Sequence, residues 1–208
     1  MMVCCFFYAT TKAQNPEAYN ELYTKIYLEV SPKNMQLALQ MADSLFNVST
    51  TPLFQAKSLM LSASLYQQQQ KLTQAAELAE KAYSIISKVP DYNWMVRISG
   101  FLATQYRILH LYGKSRMYCD RALTMISRIS NPEMVRSTTG FINQELAYND
   151  IAVKNYYASI QRIQESQKTS IKFLKIKITS PPITSNYWDS ITFTWQTTGD
   201  PCTTMKTA

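Results

Sequence analysis

"LTQAAELAEKAY" (residues 72–83) contains no glycine or proline, and it places Leu72, Ala75, Ala79 and Ala82 at the three- and four-residue spacing of one helix face. Three other stretches share its register: "MQLALQMADSLF" (35–46), "YGKSRMYCDRAL" (112–123) and "YYASIQRIQESQ" (156–167). Each opens on a large residue (Met35, Leu72, Tyr112, Tyr156) and has a small one three places later (Ala38, Ala75, Ser115, Ser159). Leu45, Ala82, Ala122 and Ser166 follow seven places on.

The small residues lie 37, 40 and 44 residues apart, and Ala63, Ala103 and Ala147 in the preceding segments repeat the 40 and 44. Two helices that shift together are one structural unit. A small residue in each lets the two backbones approach, the large residue closes the end of the crossing, and the later small residue admits the next unit. Tyr66 and Tyr106 stand three residues after Ala63 and Ala103. This pattern resembles the tetratricopeptide repeat (TPR), a helix–turn–helix unit of about 34 residues. The match is best over 56–89 and 96–129. It departs from the family in Ile26 and Leu45 in the first unit, in Asp150 where an aromatic is expected, and in His110 at the usual turn glycine. Terminal repeats are commonly atypical because they cap a stack. The resemblance implies an all-α, right-handed α-solenoid of about four TPR-like helix pairs, and the long, proline-punctuated units resemble the exported sensor regions of bacterial transcriptional regulators and histidine kinases.

Composition agrees with helices. Only four glycines occur in 208 residues, which disfavours hairpin-rich folds and phosphate-cradling loops. Asn15-Pro16, Ser31-Pro32, Thr51-Pro52 and Asn131-Pro132 each place a capping residue before a proline, and Asp91 is a further cap. Helices are expected over 17–30, 33–47, 53–69, 72–88, 93–110, 114–129, 133–152 and 155–168. "QQQQ" (67–70) reads as the polar end of a helix entering a turn. Cys4, Cys5, Cys119 and Cys202 show no disulfide or metal-ligand spacing, and Cys119 reads as a small buried hydrophobe.

The chain carries no HExxH, GxSxG or Walker motif and a single histidine, so neither an enzyme, a cofactor nor a metal site is expected. His110 reads as a polar turn residue. Glu77 and Glu80, beside Lys81, read as a solvated face. The TPR resemblance instead implies a groove lined by the first helix of each pair, which takes a protein or peptide. Carried over, it assigns Tyr23, Tyr27, Lys57, Met60, Ser64, Gln67, Arg97, Thr104, Arg107, Phe141, Gln144 and Tyr148 to that groove, with Arg97 and Arg107 together receiving an acidic group. With Met60 and Ser64 present, the Lys/Asn clamp for a C-terminal carboxylate is missing, which argues against an Hsp90-type cochaperone.

Net charge is +7, concentrated in Arg97, Arg107, Lys114, Arg116, Arg121, Arg128 and Arg136. Lys114, Arg121 and Arg128 share a helix face and read as solvated surface, no aromatic stacking platform being visible beside them. The alternative function is a cytoplasmic nucleic-acid-associated protein using this basic third repeat. Self-association is a further partner expectation.

Residues 169–208 read as an irregular or disordered Ser/Thr-rich tail, in which "KIKIT" (175–179) and "ITFTWQ" (191–196) alternate like strands. At the other end, "MMVCCFFYATTKAQ" (1–14) is too short to span a bilayer, which needs about 20 apolar residues. It resembles the end of a signal peptide, residues 1–13, cleaved between Ala13 and Gln14. The repeat domain is then 14–168, and export to a periplasmic or membrane-associated location is expected.

Overall fold

Helix caps set the architecture. In the computed structural model, which describes residues 15–179 and their side chains through 167, the chain forms α1 (Pro16–Lys25) running into a π-helical segment (Ile26–Val30), then α2 (Met35–Val48), α3 (Pro52–Gln68), α4 (Leu72–Ile86), α5 (Tyr92–Ile108), α6 (Tyr112–Ile126), α7 (Pro132–Ala152) and α8 (Tyr156–Thr179). Asn15 accepts from the Glu17 amide at 3.0 Å, Thr51 from Phe54 at 3.2 Å, Asp91 from Trp94 at 3.0 Å and Asn131 from Glu133 at 2.9 Å. These side chains satisfy donors that a helix start leaves open.

The Ser31-Pro32 start is corrected. Ser31 donates its hydroxyl to the Tyr27 carbonyl at 2.7 Å and so closes the preceding helix. Asn34, in extended backbone, caps α2 instead through the Leu37 amide at 2.9 Å.

Helices pack as an all-α stack of pairs, α3 with α4 and α5 with α6. Each second helix also packs on the next first helix, α2 on α3, α4 on α5 and α6 on α7, while α1 touches α3 and α5 touches α7. The small residues sit where close approach demands them: Ala38, Ala75 and Ser115 are fully buried, as are Ala63 and Ala103, with Ala147 and Ser159 almost so. Gly100 has the same role between first helices, where a Cβ would come within 3.0 Å of the Phe141 ring. In the first unit the position of Ala63 and Ala103 is taken by Ile26, and there the helix changes from α to π winding.

The backbone repeats the sequence intervals. Gln70, His110 and Lys154, spaced 40 and 44 residues apart, are the non-glycine residues with positive φ, at 61°, 59° and 62°, among those described. After each, the next amide reaches back five residues to the helix it leaves: Lys71 to Tyr66 at 2.9 Å, Leu111 to Tyr106 at 2.8 Å, and Asn155 to Asp150 at 2.8 Å. This left-handed helix ending favours glycine. Gln70→Gly and Lys154→Gly are each expected to raise stability by about 0.5–1 kcal/mol, read from urea unfolding midpoints.

A second consequence of the register concerns Gln105. Its equivalents are Leu65 and Asn149, all three buried. Asn149 donates to Ser115 Oγ at 2.8 Å and to the Glu145 carbonyl at 2.9 Å. Gln105 is fully buried and neither of its amide atoms has a hydrogen-bond partner, because the position matching Ser115 in the preceding unit is Ala75. Gln105→Leu, restoring the residue of the second unit, is expected to stabilise the fold by about 1–2 kcal/mol.

The C-terminal expectation changes. Helix α8 continues through Thr179, so "KIKIT" is helical, and the irregular tail does not begin at 169. Extending an existing helix needs no new nucleus, and Ile171, Leu174 and Ile178 keep helical spacing through the five-residue alternation. Residues 1–14, including the signal-peptide expectation, and "ITFTWQ" lie outside the described residues.

Candidate binding surface

Lys57, assigned to the groove from the repeat resemblance, is a buried side chain. It sits on α3 at 5% exposure, and its Nζ donates to Asn20 Oδ1 on α1 at 2.6 Å. Three aromatic rings surround the ammonium group: Tyr19 of α1 at 4.9 Å, Phe54 of α3 at 5.7 Å and Trp94 of α5 at 5.5 Å. Tyr19 is itself locked. Its ring stacks on Phe54 at 4.3 Å, and its hydroxyl donates to the Phe54 carbonyl at 3.0 Å and meets Ser58 Oγ at 2.9 Å. Burial raises the Tyr19 pKa above the ordinary phenol value, so the ring stays neutral.

Burial first, and then the positive charge of Arg97, lower the Lys57 pKa to about 8; Asp91 works in the other direction. Arg97 lies over the Trp94 ring at 5.7 Å. Helices α1, α3 and α5 therefore converge on one cationic, aromatic cluster built from Asn20, Lys57, Trp94 and Arg97.

A second cluster forms where α5 meets α7. Arg107 Nε donates to Glu145 Oε2 at 2.7 Å, and its guanidinium lies over the Tyr148 ring at 4.6 Å. Gln144 donates to the Tyr148 hydroxyl at 3.2 Å.

The structure thus groups Lys57 with Arg97, and Arg107 with Gln144 and Tyr148. Arg97 and Arg107 do not form one anion site. Ten residues apart on α5, they are separated by about 15 Å along the axis, and Arg107 is held by the chain's own Glu145. Tyr23, Met60 and Ser64 are buried, Ser64 returning its hydroxyl to the Met60 carbonyl at 2.7 Å. Tyr27, Gln67, Arg97, Thr104, Arg107, Phe141, Gln144 and Tyr148 are half-buried. Tyr19, Asn20, Phe54, Trp94 and Glu145 were not expected. Asn20, Phe54, Trp94 and Glu145 each stand within three residues of an expected member, Tyr23, Lys57, Arg97 and Gln144 respectively, so proximity along the helix was their one signal.

The basic third unit is also corrected, because tyrosines do accompany it. Lys114 lies over Tyr106 at 4.8 Å, Arg121 over Tyr118 at 5.1 Å and Tyr83 at 5.7 Å, and Arg128 over Tyr92 at 5.1 Å with a 2.7 Å hydrogen bond to its hydroxyl. These contacts join α4, α5 and α6 within the chain. Tyr106 and Tyr118 also donate to Glu80, and burial with the Glu80 charge raises the Tyr118 pKa to about 12. Burial likewise raises the Cys119 thiol to about 12, as befits a core residue. Among the described residues no group of three or more His, Cys, Asp or Glu could hold a metal ion, and no helix is long and apolar enough to cross a membrane.

No protein-family model and no curated protein matches the chain. Among solved structures it is similar to the crystal structure of BtubC (BKLC) from P. vanneervenii, with a TM-score of 0.53, 13% identity, and coverage of 88% of this chain and 94% of that one. At that identity the likeness shows a shared fold alone.

Proposed function

We propose that the chain is a TPR-like scaffold that binds a protein or peptide along its first helices, as the exported sensing part of a bacterial signalling or transcription-regulatory protein. The observation that carries this reading is the Lys57 cluster. A lysine buried at a cost in charge solvation, beside a second cation and a tryptophan, is poor design for stability alone and suits recognition. Half-buried Tyr27, Gln67, Phe141, Gln144 and Tyr148 extend the row with side chains that offer aromatic area and hydrogen bonds. The partner group suited to the half-buried Arg97, with the Lys57 charge behind it, is a carboxylate. The bacterial and regulatory parts of the proposal rest on the repeat resemblance.

The test is selection of a displayed random peptide library on the immobilised full chain. Enriched peptides are expected to carry acidic residues and to bind Arg97→Glu at least tenfold more weakly. Absence of any enriched peptide, or equal affinity for Arg97→Glu, overturns the reading. Arg107 is the poorer probe, since its loss also frees Glu145.

A further inference from the structure

Residues 81–90 and 121–130, the last turns of α4 and α6 with the chain that follows each, occupy equivalent places in the second and third units and contain no Asp or Glu. They carry Lys81 and Lys88 in one unit and, 40 residues on, Arg121 and Arg128 in the next, and all four side chains are exposed. The two helices lie side by side. Tyr83 of α4 and Tyr118 of α6 meet edge to face at 5.9 Å, and Arg121 lies over both rings. Arg128 lies over Tyr92 and donates to its hydroxyl at 2.7 Å. A guanidinium held against a ring keeps N–H groups for an outside acceptor and has less freedom to lose on meeting one. With the other described residues none of the four cations forms an ion pair. The carboxylates that come closest in sequence do not neutralise them: Glu80 receives the Tyr106 and Tyr118 hydroxyls, Asp91 caps α5, and Asp120 lies about 100° around α6 from Arg121.

We infer that this face rests on an anionic membrane surface, where its four cations meet lipid phosphates. Charge decides the class of occupant, since four cations without a carboxylate among them call for a partner of opposite sign. Their spread decides its form. Residues seven apart on one helix are separated by about 10 Å, and the pairs sit on two neighbouring helices, so the array suits an extended surface better than a single small anion. Lipid headgroups can move to meet each cation. Half-buried Tyr83 and Tyr92, and Met117, 37% exposed one turn before Arg121, add side chains of the kind that settle at headgroup level. The same tyrosines are already covered by the arginines and offer no open ring for stacking nucleic-acid bases. Preferring a membrane to a nucleic-acid duplex rests on the exported location proposed above; the first-helix surface plays no part in it.

The test is co-sedimentation of the full chain with vesicles of phosphatidylcholine containing about 30% phosphatidylglycerol, and with vesicles of phosphatidylcholine alone. Binding to the anionic vesicles is expected to be at least about tenfold tighter and to fall steeply between about 0.05 and 0.5 M salt. Lys81→Glu with Lys88→Glu, and separately Arg121→Glu with Arg128→Glu, are each expected to weaken it at least about tenfold. The lysine pair should leave far-UV circular dichroism and the unfolding midpoint unchanged, because both sites are exposed. Lys25→Glu with Lys33→Glu makes the same change in net charge at exposed sites of the first unit and is expected to keep binding within about threefold. Peptides selected on the wild-type chain should bind the Lys81, Lys88 variant as before, which separates failure of this face from failure of the first-helix reading. No binding to anionic vesicles at low salt, equal binding to neutral ones, an equal loss in the Lys25, Lys33 variant, or tighter binding to random-sequence duplex DNA than to the vesicles overturns the inference.

Discussion

Replacing Lys57 with methionine is expected to raise stability at pH 7 by about 1–3 kcal/mol. The lysine pKa falls from 10.5 to about 8 in the folded chain, and each unit is worth about 1.4 kcal/mol, so the charged form is disfavoured by about 3 kcal/mol relative to water. The three rings return part of this through cation–π attraction, which methionine gives up but partly replaces with sulfur–aromatic contact. Asn20 is only half-buried and can turn to water. The pH dependence gives the sharper measurement. With a depressed folded pKa, the unfolded chain binds the extra proton between pH 8 and 10.5, so wild-type stability gains from this group as pH rises through that window. Tyr19, Tyr106 and Tyr118, whose folded pKa values are raised, act oppositely above about pH 10, where the unfolded chain ionises first. The difference between wild type and Lys57→Met removes their contribution. The wild type should close the gap between pH 8 and 10, and parallel curves would show that Lys57 is not held in a desolvated site.

Asp150→Asn is expected to cost about 2–4 kcal/mol at neutral pH. Asp150 stands where the second and third units have Tyr66 and Tyr106, at 1% exposure, and it joins two helices: Arg116 of α6 binds Oδ1 at 2.9 Å and Arg162 of α8 binds Oδ2 at 2.7 Å. Burial would raise its pKa, but the two guanidinium contacts outweigh burial and hold it below the usual carboxylate range. Removing the charge leaves two cations facing one another across a site designed around an anion. Both arginines keep partial contact with water, 44% and 29%, which places the loss below that for a fully buried pair. A depressed carboxyl pKa contributes stability that is present above the unfolded value of about 3.9 and is lost as pH falls through the folded value. The variant should therefore lack the corresponding acid limb in urea titrations below pH 4. A loss under about 0.5 kcal/mol would mean that the helices are joined by packing alone.

The architecture was legible because close helix crossings need small residues at fixed places, and Ala63, Ala103 and Ala147 recur with the same intervals as Ala75, Ser115 and Ser159. The left-handed turns at Gln70, His110 and Lys154 follow that spacing, although none is glycine. Local signals misled where a side chain had two uses. Ser31 before proline has the form of a cap, yet its hydroxyl closes the helix behind it. Alternation in "KIKIT" gave way to a helix already under way. The binding surface was legible only as a row. Which helices meet depends on contacts between residues 37 or 38 apart, so the approach of Tyr19, Asn20 and Trp94 to Lys57 and the capture of Arg107 by Glu145 leave no trace in local spacing, whereas Phe54 beside Lys57 and Trp94 beside Arg97 are helical neighbours three residues away.

The central claim is that the Lys57 cluster exists for recognition rather than for the fold, and it makes opposite demands on one variant. Peptides selected on the wild-type chain should bind Lys57→Met at least tenfold more weakly, although that protein is more stable. A Lys57→Met chain that gains stability and binds the same peptides equally well would contradict the assignment of this surface.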